Sequence, residues 1–152
     1  MPSTPVLLDT DTLSELSRAN PAVTARARAY LMEFGRLTVS AVTVFERLRG
    51  YRQAIRAGKP YERQMHAFEV LARSCVVLPF DDVAADVAAT IWASCSRSQR
   101  NQLGDILIAA TAVARLIPLV TRNRKDFDAL GKQSGAELHL VDWTKPVRGG
   151  TR

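Results

Sequence analysis

The apolar residues of this chain fall into short uninterrupted runs and into longer stretches with helical spacing. The short runs predict β-strands at residues 6–8, 37–39, 76–78, 118–120 and 138–141. Their lack of alternation is typical of parallel strands covered on both faces. The longer stretches predict helices at residues 12–19, 21–34, 41–57, 61–73, 82–95 and 104–116, and a short one near 126–130. This alternation predicts an α/β fold, a three-layer sandwich in which helices flank a short, mostly parallel central sheet.

Several predicted helices begin at a residue that favours a helix N-terminus. Asn20 precedes Pro21, Ser40 precedes the helix at 41–57, and Asp81 precedes the helix at 82–95. Side chains of this kind accept hydrogen bonds from the free backbone amides of the first turn, and proline suits the first helical position. No glycine-rich phosphate loop follows the first strand, so the pattern does not favour a dinucleotide-binding or P-loop protein.

Acidic residues occur where the predicted strands end or where apolar helices begin. Four of them stand in such places: Asp9, Glu46, Asp105 and Asp126. In parallel α/β sheets the ligand binds outside the carboxyl ends of the strands. We therefore expect these acids to converge at one edge of the sheet. For Asp105 the alternative is a simple capping acid, since a carboxylate is favoured near a helix N-terminus.

A cluster of carboxylates in a partly buried pocket has a natural counter-ion. The negative charges repel one another and raise the pKa of each carboxyl group unless a cation compensates. Hard divalent ions such as Mg²⁺ or Mn²⁺ prefer oxygen ligands and bring water molecules with them. Water bound to such an ion is activated for hydrolysis, and the ion also polarises a phosphoryl oxygen. The cluster therefore predicts hydrolysis of phosphodiester bonds.

The chain has 152 residues and a net charge of +6, with a sequence pI near 9.9. Residues 18–73 alone carry eleven basic and four acidic side chains, a net charge of +7. This excess indicates a polyanionic partner such as nucleic acid, although basic helices also serve solubility. We expect one domain over residues 1–145, with 146–152 as a flexible C-terminal tail. Without an apolar run long enough for a membrane span or a secretory signal, we expect a cytoplasmic protein with no membrane partner.

Four stretches carry a resemblance to a known family: LLDTDTLSEL, SAVTVFE, GDILIAATA and VTRNRKDF, in this order over residues 7–127. In these residues the chain resembles the PIN-domain family, and in particular the bacterial VapC-type toxins of toxin–antitoxin pairs. The resemblance implies a ribonuclease that depends on Mg²⁺ or Mn²⁺ and cleaves structured RNA such as tRNA or rRNA. It also implies a homodimer that a small cognate antitoxin protein holds inactive.

The resemblance also assigns roles to residues. Asp9, Glu46, Asp105 and Asp126 match the acidic quartet that binds the metal and catalyses the reaction, with Asp9 and Asp105 as the most direct ligands. Thr10 resembles the hydroxyl that steadies the first acid, and Thr121 and Asn123 match the polar residues of the fourth motif.

Two positions in these motifs leave alternatives open. Asp11 stands where the family more often has Asn or Ser, and it either adds negative charge near the metal or caps a helix that starts at Thr12; we favour the cap. Asp128 is a second candidate for the role of Asp126. Two other functions remain open: a PIN-type nuclease that processes RNA or acts on DNA without an antitoxin, and a non-catalytic module that only binds nucleic acid.

Overall fold

The computed structural model describes residues 4–146, and its strands form one parallel sheet. The strands are β1 (Leu7–Leu8), β2 (Thr38–Ser40), β3 (Val76–Leu78), β4 (Leu119–Val120) and β5 (Leu140–Val141). Their order across the sheet is β3-β2-β1-β4-β5, and every strand pair is parallel. The predicted α/β fold is confirmed, and the sheet of the described residues is parallel throughout.

The helices lie close to where the apolar periodicity predicts them. They are α1 (Thr10–Ser17), α2 (Pro21–Phe34), α3 (Ala41–Arg56), α4 (Glu62–Ser74), α5 (Asp82–Ser94), α6 (Arg97–Arg100), α7 (Leu103–Arg115) and α8 (Arg124–Ser134). Asn20, Ser40 and Asp81 each accept backbone N–H hydrogen bonds as N-caps, as predicted. Within the described residues, none of the helices is both long and apolar enough to cross a membrane.

Two hydrophobic clusters cover opposite faces of the sheet. Leu7 belongs to the cluster that includes α5 and α7, and the next residue, Leu8, belongs to the cluster that includes α1 and α2. Successive strand residues point to opposite faces, so this division shows that β1 is buried on both sides. The edge strand β3 is different, because Val76 and Val77 are exposed. The expectation that all strands are covered on both faces is wrong for this edge.

The winding of the sheet reverses between β1 and β4. From β1 the chain adds β2 and β3 on one side, and then crosses to add β4 and β5 on the other side. The carboxyl ends of β1 and β4 are held together where the Asp9 amide donates to the Val120 carbonyl over 3.0 Å. A reversal of this kind opens a crevice at the carboxyl edge, which is where ligands bind in open α/β sheets.

The structure differs from the sequence prediction in three helices. Helix α1 begins at Thr10 rather than residue 12, and α8 continues to Ser134 rather than ending at residue 130. Gly135 caps the C-terminus of α8 with a φ of 73°, in the left-handed region that favours glycine. The pattern did not predict the four-residue α6. The predicted tail at 146–152 lies outside the described residues, except for residue 146.

Candidate functional site

Asp9 lies in the crevice at the end of β1 and is 3% exposed. Its Oδ1 atom accepts the Thr12 backbone amide over 2.7 Å, so Asp9 is itself the N-cap of α1. Burial raises the pKa of this carboxyl group, while hydrogen bonds from Thr121 and Thr12 act in the opposite direction. The net upward direction shows that the protein alone does not fully stabilise the negative charge.

Glu46 reaches the crevice from the second turn of α3. Its Oε1 atom accepts a hydrogen bond from the Thr10 hydroxyl over 3.2 Å, so this hydroxyl contacts Glu46 and not, as the resemblance implied, the first acid, Asp9. Its Oε2 atom lies so close to Gly104 that a Cβ atom added there would be only 2.2 Å away. The absence of a side chain at residue 104 therefore makes room for the Glu46 carboxylate, which lies against the start of α7.

Asp105 follows this glycine and is the third residue of α7. The pKa of its carboxyl group is raised from 3.8 to about 6, first by burial and then by the negative charges of Glu46, Asp9, Asp11 and Asp126. The N-cap of α7 is Gln102, and no side-chain hydrogen bond caps this helix. Asp105 is therefore not the cap of α7, and it lies among other negative charges instead.

The fourth acid is joined to the others by the turn between β4 and α8. The Asn123 amide nitrogen donates to the Thr121 hydroxyl over 3.0 Å, and the Asn123 side chain donates to Asp126 Oδ2 over 3.0 Å. Asp128 instead forms an ion pair of 2.8 Å with Lys132, and its side chain is 52% exposed. The contacts therefore connect Asp126, and not Asp128, to the crevice, although Asp126 is itself exposed.

A row of hydroxyl groups leads to the Glu46 carboxylate. The Ser40 and Thr43 hydroxyl oxygens lie 3.2 Å apart, and the Thr43 and Thr10 hydroxyl oxygens lie 3.3 Å apart. A carboxylate can only accept, so the hydroxyls can each donate toward Glu46 along the row. Ser40 and Thr43 were not among the predicted site residues.

Glu15, in α1, lies outside the crevice and forms hydrogen bonds with three side chains. This nearly buried carboxylate is bonded to Arg122 Nη1 at 3.2 Å, to Arg18 Nη1 at 3.0 Å and to Asn20 Nδ2 at 3.1 Å. Arg122 stands between Thr121 and Asn123 in the sequence, yet its charge is directed to Glu15. In residues 4–146 none of the ion pairs involves Asp9, Glu46, Asp105 or Asp126.

The prediction that Asp11 caps the first helix is wrong. Helix α1 begins two residues earlier than expected, and Asp9 occupies the cap position. Asp11 is exposed in the first turn, and its charge contributes to the raised pKa values of Asp9 and Asp105. The structure supports the other alternative, in which Asp11 adds negative charge near the pocket.

The donor atoms of the site suit a hard divalent cation. No three His, Cys, Asp or Glu side chains among residues 4–146 are arranged so that they could hold one metal ion together. Mg²⁺ usually needs only one or two protein carboxylates, because it keeps several of its water molecules. Asp9 and Asp105, whose pKa values are both raised and which have no basic partner in the described part of the chain, fit this requirement.

The geometry thus defines a class of protein: a parallel α/β fold with an acidic pocket at the carboxyl edge of its sheet. The PIN domain family model matches residues 6–133. The chain therefore belongs to the PIN-domain family, which confirms the resemblance noted in its sequence.

Individual relatives are similar to this chain over most of its length. The chain is 37% identical over 133 residues to the VapC ribonuclease Y4jK of Sinorhizobium fredii, covering 83% of this chain and 92% of that protein. It is 28% identical over 142 residues to Ribonuclease VapC1 of Haemophilus influenzae, covering 91% and 98%. Among solved structures, VapBC-1 from nontypeable Haemophilus influenzae superposes with a TM-score of 0.70 at 25% identity, covering 93% of this chain and 100% of that one.

Proposed function

We propose that the protein is a metal-dependent endoribonuclease and the toxic component of a toxin–antitoxin pair. One observation carries the proposal: hydrogen bonds, one close approach and direct chain neighbours link the predicted site residues. It runs from Asp105 and its neighbour Gly104 through Glu46, Thr10, Asp9, Thr121 and Asn123 to Asp126. Residues from four separate segments of the chain meet at the place where the fold provides a ligand crevice.

The proposed mechanism assigns a task to each group. Asp9 and Asp105 would hold Mg²⁺ or Mn²⁺, and Glu46 and Asp126 would complete the acidic pocket around it. When bound, such an ion supplies an activated water molecule and polarises the scissile phosphate. The Thr10 hydroxyl orients the Glu46 carboxylate, and Thr121 and the α1 backbone fix Asp9. Fixed ligands of this kind keep the donor atoms in place before the substrate binds.

The charge of the protein supports a nucleic-acid substrate. In residues 4–146 the ion pairs engage only Arg18, Arg115, Arg122 and Lys132. Most of the Lys and Arg side chains in this part of the chain therefore have no acidic partner, and basic side chains of this kind bind the phosphate backbone of a nucleic acid without reading its sequence. The relatives named as ribonucleases favour RNA over DNA.

The same family relationship supports the rest of the proposal. A cognate small antitoxin would bind the toxin and block its site, and two copies of the chain would form a homodimer. The protein would act in the cytoplasm, where structured RNA such as tRNA or rRNA is available. Exposed apolar side chains near the site, Phe45 on α3 and Leu103 at the start of α7, are consistent with a protein interface there.

Incubation of the purified protein with structured RNA tests this proposal. We expect cleavage in the presence of Mg²⁺ or Mn²⁺, and no cleavage with EDTA unless the metal is restored in excess. A DNA duplex and a single-stranded DNA of the same sequence serve as matched substrates. Cleavage that resists EDTA would exclude the metal mechanism. Cleavage of the DNA substrates but not of the RNA would show that the substrate is DNA.

Gly104→Ala is expected to reduce cleavage by about 10- to 100-fold, the loss typical of changes that misplace groups around a metal. The new Cβ atom would displace the Glu46 carboxylate. Because the displaced atoms are the end of a flexible side chain, and alanine favours a helix by about 1 kcal/mol, the stability should change little. Gly50→Ala in α3, where a Cβ atom meets nothing within 4 Å, is the control. Full activity of Gly104→Ala would show that the position of Glu46 does not matter.

A further inference from the structure

A small cavity adjoins the acidic pocket on the side of α8. It is lined by Ser98, Gln99, Gln102, Asp126, Ala129 and Leu130, and its volume is about 110 Å³. Asp126 belongs to both the cavity and the acidic pocket, and Gln102 stands three residues before Asp105. A group bound in the cavity would therefore lie next to the groups that act on the scissile phosphate.

The cavity presents amide groups with free hydrogen-bonding capacity. Gln99 Oε1 accepts the Ser96 backbone amide over 2.8 Å, which leaves the side-chain NH₂ of Gln99 with no partner among residues 4–146. Gln102 precedes α7 without a side-chain capping bond, and its side chain is likewise unbonded within the described residues. Glutamine amides donate and accept side by side, which matches the edge of a nucleobase.

The wall that carries these amides is held in place before any ligand binds. Ser96 and Gln99 form a reciprocal capping box at the start of α6. At the other end of this helix, the Arg100 guanidinium stacks on Trp92 at 3.8 Å from the ring centroid, and its Nε donates to the Trp92 carbonyl over 3.3 Å. A preformed wall reduces the entropy cost of binding and favours selective recognition.

The size of the cavity limits what it can take. Sites for drug-sized ligands measure about 300–1,000 Å³, so a cavity of about 110 Å³ has room for only one small group. Ala129 and the nearly buried Leu130 provide an apolar surface beside the amides. This combination of an apolar surface and amide donors and acceptors is the chemistry that recognises an unstacked base in single-stranded RNA.

We infer that this cavity is the base-recognition site of the enzyme, in which Gln99 and Gln102 select one nucleobase beside the scissile phosphate of an RNA loop. The inference rests on the proposed ribonuclease function and adds to it a preference for one base in the RNA sequence. The glutamines bind the base edge and contact no reacting atom. The flanking phosphates are bound by basic side chains, which contribute affinity but no selectivity for sequence.

Binding of RNA, measured without cleavage, tests the inference. The full-length Asp105→Asn protein serves as the non-cleaving parent, and it is mixed with a pool of short RNAs that contain five randomised positions. Sequencing of the bound fraction gives the base preference at each position. Gln102→Leu removes one amide, and Gln99→Glu keeps the acceptor for Ser96 but replaces the NH₂ donors. Gln133→Leu and Gln133→Glu, at an exposed position of α8 outside the cavity, are the matched controls.

We expect the parent to select one base at one position. Gln102→Leu should lower this selectivity by about 5- to 150-fold, the range for loss of a good base contact. Gln99→Glu should change which base is preferred, and both controls should keep the parent preference. An unselective parent, or unchanged selectivity in both cavity variants, would overturn the inference. If selectivity depends on the cavity but the wild-type protein does not cleave RNA with Mg²⁺ or Mn²⁺, the proposed function fails and the binding site stands.

Discussion

Asp105→Asn is expected to lower metal-dependent RNA cleavage by more than about 100-fold, while the protein remains folded. Changes to groups that only surround a metal cost about 10- to 100-fold, so loss of a direct ligand should cost more. The substitution conserves the shape of the side chain and removes a charge that its surroundings disfavour, since burial and neighbouring acids raise the pKa of Asp105 to about 6. The fold should therefore tolerate it.

The measurement is the initial rate of RNA cleavage at saturating Mn²⁺, with circular dichroism and thermal unfolding to confirm the fold. Asp86→Asn, which removes an exposed carboxylate from α5, is the matched control and should keep the wild-type rate. Asp9→Asn should behave like Asp105→Asn, because asparagine also caps helices and so preserves the start of α1. Cleavage by Asp105→Asn at the wild-type rate would show that Asp105 is not part of the active site.

In the metal-free protein, the contribution of Asp105 to stability is expected to fall as the pH rises from about 4 to about 6. The folded-state pKa of Asp105 is raised from 3.8 to about 6, so in this range the folded state binds more protons than the unfolded state. The contribution of Asp105 is therefore most favourable below pH 4 and is lost as the pH passes the folded-state pKa. The full shift corresponds to about 3 kcal/mol, which partial exposure reduces to about 1–2 kcal/mol.

Urea unfolding between pH 4 and pH 8 in the presence of a chelator measures this effect. Asp105→Asn cannot titrate at this position, so its free energy of unfolding should rise relative to that of the wild type across the same range and then stay constant. The comparison cancels the other titrating groups that the two proteins share. A difference between the two proteins that does not vary with pH would show that Asp105 titrates normally, and the electrostatic argument for the site would fail.

The sequence predicts the position of the acids because the fold is parallel. In a parallel sheet all strands end at the same edge, and since β1 and β4 are neighbours in this sheet, the residues that directly follow them lie near one another. This is why Asp9 and Thr121, 112 positions apart in the sequence, are in contact. The apolar circumference of α7 similarly predicts that the helix is buried and that its start, with Asp105, lies against the sheet.

Other features of the site depend on contacts that no local pattern specifies. The position of Glu46 is fixed by Thr10 and by the missing side chain of Gly104, and these residues come together only in the folded chain. Two local signals do mark these helix starts. Aspartate is a preferred N-cap, and Asp9 directly precedes α1; the Ser96-x-x-Gln99 spacing is that of a capping box and marks the start of α6.

Titration of the metal-free protein with Mn²⁺ by isothermal calorimetry at neutral pH shows whether Asp9 and Asp105 share one divalent cation. The wild type and Asp86→Asn should bind Mn²⁺ with the same affinity, and Asp9→Asn and Asp105→Asn should each lose at least about tenfold, because each removes a proposed ligand. Equal Mn²⁺ affinity in all four proteins, or no binding by the wild type, would contradict this shared binding.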